Sequence, residues 1–334
     1  RWTVRHSYEN SPFYRQRLQK TNITPDDINT MDDLLRLPFT TADDLREGYP
    51  FPLLAAPFDQ IVRIHASSGT TGKRKVLCYT QKDIDDWADM FARCYEMAHL
   101  SQEDRVQIAV GYGLWTAGVG FQLGCERFGA MTVPVGPGNT EMHCEMLVDL
   151  KSTVFCATAS MALLMGEEVQ RLNLGDQIAL TKVILGAERH SESMDRRIKE
   201  LLAVDHVFDI PGLTELYGPG TGLDCGKHEG VHFWADYYIL EIIDPDTLEP
   251  VEPGELGEMV VTTLRKEGAP LIRYRTRDLT RIIPQPCSCG NPLPMHDRIL
   301  GRSDDMFIVR AVNIYPGQID HVLSQVPEIG SEFQ

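Results

Sequence analysis

Between residues 105 and 212 the chain alternates short apolar, often β-branched runs with longer amphipathic stretches: RVQIAVGYG, GVGFQLGCERFG, MTVPVG, EMHCEMLVDL, STVFCAT, ASMALLMGEEVQRL, KVILGAE, SMDRRIKELLA and HVFDIPG. Neighbouring strands of a parallel pair need a long crossover between them, and the amphipathic stretches supply it. The alternation therefore predicts an α/β fold, a mostly parallel sheet covered by helices. Ligands of such sheets gather at the carboxyl ends of the strands. GYG after RVQIAV, GAE after KVIL and PGLTE after HVFDI all fall there.

The flanks read differently. The first sixty residues are helical and irregular, with Thr-plus-acid helix starts in TPDDINT and TTADDL. RIHAS and KVLCYT read as strands on either side of a polar loop, and Ile84, Trp87, Met90, Phe91 and Met97 fall close to helical spacing. From FWADYYILEIIDP through GEMVVTTL to PLIRYRTRDLTRII the segments turn β-rich, which predicts an antiparallel subdomain over about 233–300. A further strand and helix begin after residue 301, with too little chain up to residue 334 to bury them.

Composition narrows the function. A formal charge of −16 argues against a nucleic-acid or anionic-membrane surface, since both need clustered cations. No apolar run reaches membrane-spanning length; the nearest, 153–166, is broken by Thr and Ser. RWTVRHSYENSPFYRQRL has cations but no apolar core of a signal peptide, and it lacks an initiator Met. Most of the eight cysteines sit in apolar company. A reducing cytoplasm without disulfides is the expectation.

The polar loop, SSGTTGKRKV at 67–76, suits a polyphosphate. It is not the familiar P-loop, because only Thr70 and Thr71 separate Gly69 from Gly72, and Arg74 follows Lys73. Gly69 and Gly72 permit close backbone approach, and successive N–H groups can form an anion nest. Ser67, Ser68, Thr70 and Thr71 add hydroxyl donors, and Lys73, Arg74 and Lys75 make a local basic pocket on an acidic chain.

SSGTTGK, GAE, PGLTELYGPG, YRTRDLT and GRSDDMFIVRAVNIYP, in that order, resemble the adenylate-forming enzymes, and more closely the phenylacetate–CoA ligase family. The resemblance covers nearly the whole chain. It implies an adenylation core over 1–301 and, over 302–334, the hinge and start of a truncated C-terminal lid. It also implies AMP-forming activation of a phenylacetate-like carboxylic acid, with ATP, magnesium and coenzyme A. On this basis Ser67–Lys73 would grip the β- and γ-phosphates, Thr214 the α-phosphate, and Glu215 the magnesium. Gly186, Ala187 and Glu188, with Asp209, Ile210, Pro211 and Gly212, would flank adenine. Asp278 would accept the ribose hydroxyls, Arg302 would add a contact, and Asp304 would be the hinge. Relatives often carry Tyr at the position of Pro211, which offers a smaller face for stacking. The acid pocket would be lined by Val110, Tyr112 and Trp115, where differences from phenylacetate enzymes bear on the choice of acid. The catalytic Lys of relatives lies in the lid, beyond the segment present here. A carrier-protein or cofactor acceptor in place of coenzyme A stays open, as does a lid-less nucleotide sensor; a homodimer is compatible.

CSCG at 287–290 and LDCGKHEGVHFW at 223–234 raise a metal site. Cys225, His232, Cys287 and Cys289 would close a tetrahedral structural zinc. His228 is the rival fourth ligand, His296 a more distant one, and exposed inert thiols the alternative.

Overall fold

The computed structural model describes residues 1–67 and 73–304, and the backbone strands Phe307–Val309 and Val312–Ile314. A five-stranded parallel sheet lies at its centre. In sheet order its strands are Met131–Val133, Arg105–Ile108, Val154–Ala157, Lys182–Leu185 and His206–Asp209. These are the runs expected from the alternation. Both faces are covered, so successive residues of one strand enter different cores. Val154 and Cys156 join a cluster with Trp87, Phe91 and Phe121, whereas Phe155 and Ala157 join Met165, Val169, Ile198 and Leu201.

The helices Gln81–Met97 and Ala117–Phe128 pack tightly because Gly120 and Gly124 face Trp87 and Phe91. A Cβ on Gly124 would stand 2.4 Å from the Cβ of Phe91, so no larger residue fits there. The start of Gln81–Met97 is tied down by Thr80 and Asp83, whose side chains cap each other's backbone N–H groups at 3.0 and 3.2 Å. Asp83 also accepts from the N–H groups of Glu267 and Gly268 at 2.7 and 2.8 Å, which anchors a distant loop to the same corner.

Two antiparallel sheets make up the β-rich part. One has the order Tyr238–Ile243, Gly257–Thr263, Tyr274–Thr280, Gly301–Arg302, and pairs Asp278 with Arg302. The other, in the order Gly222–Asp224, Val231–Phe233, Met295–His296, Ile282–Ile283, brings residues near 225 beside the loop 284–294. Ile61–Ala66 and Val76–Thr80 form a separate antiparallel hairpin, so the polar loop joins two strands that pair with each other and not with the parallel sheet. Among the described residues no helix is long and apolar enough to cross a membrane.

Candidate active site

The hairpin that carries the polar loop closes at its root. Ser67 donates its N–H to the Lys75 carbonyl at 3.1 Å, and the Lys75 N–H reaches the Ser67 hydroxyl at 3.3 Å. Ser68, Gly69, Thr70, Thr71 and Gly72 lie outside the described residues. Lys73 is exposed, with its Nζ 5.5 Å from the centroid of the Tyr49 ring.

Facing this root is the turn Thr214–Leu216, which follows the end of the last parallel strand. Two buried groups hold its backbone. The Tyr79 hydroxyl lies 3.0 Å from the Thr214 carbonyl and 3.2 Å from that of Tyr217. Lys266, fully buried between the rings of Tyr79 and Tyr217, donates to the Glu215 carbonyl at 2.7 Å. Burial pushes the Lys266 ammonium down to about 8, against the pull of the Asp83 and Glu215 carboxylates. Tyr217 ends the turn at φ +85°, a conformation that side chains rarely adopt, and is fixed there by its packing.

The Glu215 side chain is buried as well. Tyr274 donates its hydroxyl to Oε1 at 3.0 Å, and the Lys75 ammonium pairs with the same oxygen. Burial alone would raise the pKa of this carboxyl; the Lys75 charge and the hydrogen bonds outweigh it and hold Glu215 below the usual range. It is thus an ionised, buried carboxylate.

Asp278 lies on the same strand as Tyr274, four residues on. Its carboxylate meets Arg302 at 3.2 Å, and Arg302 also grips Asp304 through two nitrogens at 2.9 and 3.0 Å. Arg275, Arg277 and Arg281 are the arginines closest to Asp278 in the sequence. The structure gives those arginines other partners. Arg275 and Arg277 meet the fully buried Glu258, and Arg281 meets Asp297. Desolvation pushes Asp278 up to about 6; Arg302 opposes the rise and Glu215 adds to it.

Gly186 and Ile210 directly follow neighbouring parallel strands, and a Cβ on Gly186 would come within 3.0 Å of the Ile210 side chain. Ala187 adopts φ +70°. The Glu188 carboxylate turns to the start of the helix Ala159–Arg171, accepting from the Ser160 N–H and hydroxyl at 2.8 and 2.9 Å. Asp209 donates its N–H to Asp224 at 2.7 Å, and the Pro211 carbonyl accepts from Gly220 at 3.2 Å. Gly212 is required by close approach: a Cβ there would lie 2.2 Å from Pro219 Cα.

Ala66, Ser67, Arg74, Tyr112, Leu114, Trp115 and Thr214 line a cavity of 680 Å³. Of the three residues expected to line an acid pocket, Tyr112 and Trp115 line this cavity. Val110 does not line it; it is buried in the core. Sequence reasoning missed Lys266, Tyr79 and Tyr274, and grouped Lys75 only with a basic patch. A Lys in the otherwise β-rich TTLRKEGAPL was the available signal for Lys266.

Ligand atoms of Cys225, His232, Cys287 and Cys289 all lie within 4.8 Å of one another. Cys225 and Cys287 sulfurs are 3.5 Å apart, as are Cys289 Sγ and His232 Nε2. The other His232 nitrogen faces the Leu293 carbonyl at 3.3 Å, which orients the ring. His228 turns away, to Asp224 at 2.7 Å and His206 at 3.4 Å, and His296 faces the Asp297 carbonyl.

Residues 15–264 match the AMP-binding enzyme family. The chain belongs to that family. It is 41% identical to the phenylacetate-coenzyme A ligase of Escherichia coli (strain K12), an alignment that covers 100% of this chain and 76% of that protein. Identity to the phenylacetate-coenzyme A ligase of Thermus thermophilus is 40%, over 99% of this chain and 75% of that protein. Among solved structures, a 2-hydroxyisobutyryl-CoA ligase in the postadenylation state with 2-HIB-AMP superposes with a TM-score of 0.92 at 26% identity, covering 99% of this chain and 72% of that one. That structural likeness covers both the turn Thr214–Leu216 and the strand Tyr274–Thr280, and gives the chain an adenylate-forming ligase fold.

Asp278 yields a test with a definite sign. Its folded pKa of about 6 stands above the ordinary 3.8, so the folded protein holds the proton more tightly than the unfolded chain. Stability from this group is present below pH 3.8 and is lost as pH rises through about 6. The ionised form costs the folded state about 3 kcal/mol at neutral pH. Asp278→Asn should accordingly be more stable than wild type in urea unfolding at pH 7.5, with the gain gone near pH 4. A variant destabilised at pH 7.5 would refute the buried, elevated carboxyl.

Proposed function

We propose that this chain is an AMP-forming acid–thiol ligase that activates an aryl carboxylic acid and passes the acyl group to coenzyme A. The observation that carries the reading is the pairing of Thr214, which lines the 680 Å³ cavity, with the ionised, buried Glu215 beside it. An acid seated against Tyr112, Leu114 and Trp115 points its carboxylate at that turn. A carboxylate oxygen bonds to the α-phosphorus of ATP, the bond from that phosphorus to the bridging oxygen breaks, and pyrophosphate leaves with the electron pair. The thiolate of coenzyme A then attacks the acyl carbonyl, and AMP leaves. In this reading Ser67–Lys73 and Thr214 hold phosphates, and Asp278 with Arg302 holds the ribose. Gly186–Glu188 and Asp209–Gly212 flank the base, with Glu188 acting through its backbone because its carboxylate caps a helix. Residues 1–301 form the core, and 302–334 open the lid about Asp304.

Glu215 suits magnesium, which takes oxygen ligands and often one carboxylate plus phosphates. When bound, the cation would neutralise charge on the phosphates. The cluster of three cysteines and His232 suits a structural zinc, since four protein ligands leave no place for water.

Phenylacetate offered with ATP and magnesium should drive pyrophosphate release by the purified chain more than alkyl acids do. Lys73→Ala should slow that release while leaving AMP affinity nearly intact, because AMP lacks the phosphates the loop would hold. No release with any aryl acid, or equal loss of ATP and AMP affinity, would overturn the assignment.

Elemental analysis should return about one zinc per chain. Cys287→Ser should release it and lower the melting temperature. A zinc-free protein with unchanged melting would remove the structural metal from the account.

A further inference from the structure

The two segments assigned to the base, 186–188 and 209–212, meet through a side chain that has no part in the ligase reading so far. His190 follows the first segment by two residues and stands just before the helix Glu192–Leu202. Its side chain is 2% exposed, and its Nδ1 pairs with Asp195 of that helix at 2.6 Å. The opposite nitrogen, Nε2, stands 3.7 Å from the Asp209 carboxylate at the end of the strand His206–Asp209. Among the described residues Nε2 is buried with no hydrogen-bond partner. Arg298 goes instead to Asp195 at 2.8 Å and Asp224 at 3.8 Å, so His190 is the cation that addresses Asp209. The Asp209 backbone is already fixed, since its N–H donates to Asp224 at 2.7 Å. Its side chain keeps 19% of its exposure and is the part that can turn. Burial pulls the His190 imidazolium towards neutrality, but the two carboxylates outweigh it and hold its pKa at about 9. Arg298, Asp224 and His296, from the small antiparallel sheet and the loop that follows it, are the other charged or titratable groups facing this set.

We propose that His190 is a positioning residue for the nucleotide. Its imidazolium spans Asp195 and Asp209, closes on Asp209 when a nucleotide enters, and so holds both base-flanking segments in their binding arrangement. The inference rests on the ligase reading above. A protonated His carries an N–H on each nitrogen, one for each carboxylate. On deprotonation the remaining proton stays on Nδ1, at the closer Asp195 contact, and Nε2 turns a lone pair towards the Asp209 carboxylate, which repels it. Nucleotide affinity is therefore kept below the folded pKa of about 9 and lost as pH rises through it. His190 does not line the acid cavity, so its effect falls on nucleotide binding and not on the chemical step.

Histidine ¹⁵N shifts read the bridge on the ligand-free chain. His190 should titrate near pH 9, and Asp209→Asn should lower that midpoint by about one pH unit or more. Calorimetry with ATP and with AMP between pH 7.5 and pH 9.5 reads the consequence. His190→Gln, whose amide N–H reaches where Nε2 does, should keep most of the affinity and lose the pH dependence that the wild type shows near pH 9. His190→Asn, which serves Asp195 but falls short of Asp209, should bind both nucleotides roughly tenfold more weakly at pH 7.5. In pyrophosphate release with phenylacetate, the Asn variant should raise KM for ATP by a similar factor and change kcat less than about twofold. A His190 midpoint unmoved by Asp209→Asn would overturn the proposal. So would equal losses of affinity in the Gln and Asn variants that track their melting temperatures. Nucleotide binding indifferent to His190 would defeat this proposal alone, whereas a wild-type chain that binds neither ATP nor AMP would defeat the ligase reading.

Discussion

A carboxylate cannot be buried as an anion without partners, and the way Glu215 is paired organises this molecule. Lys75 comes from the hairpin, Tyr274 from the antiparallel sheet and Lys266 from the loop anchored by Asp83. Two stretches far apart in sequence, the hairpin with Lys75 and the segment 266–274, thus converge on one turn at the end of the parallel sheet. Tyr79 completes the arrangement by holding the carbonyls on both sides of that residue. The turn owes its fixed shape to these groups, and the strained Tyr217 persists because of them.

Asp278 shows the opposite balance. Its pair with Arg302 is single and shared with Asp304, and the neighbouring Glu215 charge works against it. Glu258, by contrast, is fully buried with Arg275 in two-point contact and with Arg277 and Ser303 beside it. Among the described residues, Glu258 is met by more charged donors than Asp278. A buried carboxylate with fewer donors costs stability and is suited to take hydroxyl donors from a ligand.

The parallel sheet was legible because its strands are buried on both faces and write short apolar runs such as KVIL and TVFC. The antiparallel hairpin around the polar loop was not, since a run of residues does not encode which strand it pairs with. Glu215 and Asp278 stood out through their motifs, whereas the Lys75 pair spans 140 positions and belongs to tertiary structure alone. His232 was chosen over its rival His228, although spacing alone does not separate them. The choice is made by strand register, which places His232 opposite Leu223 and Met295 and leaves His228 in a turn at φ +55°. Val110 was taken as a pocket residue from the family resemblance alone; it is buried in the core. Ser68–Gly72 and most of 305–334 lie outside the described residues, so the reading of the phosphate loop and lid rests on motif and family.

The central claim is that a carboxylate oxygen attacks the α-phosphorus of ATP, and isotope transfer tests it most directly. Phenylacetate carrying ¹⁸O in both carboxyl oxygens would be turned over by the chain with ATP, magnesium and coenzyme A, and the nucleotide product weighed by mass spectrometry. The account predicts AMP bearing a single labelled oxygen from the acid, with unlabelled pyrophosphate. Unlabelled AMP, or ADP accompanied by labelled phosphate, would contradict it.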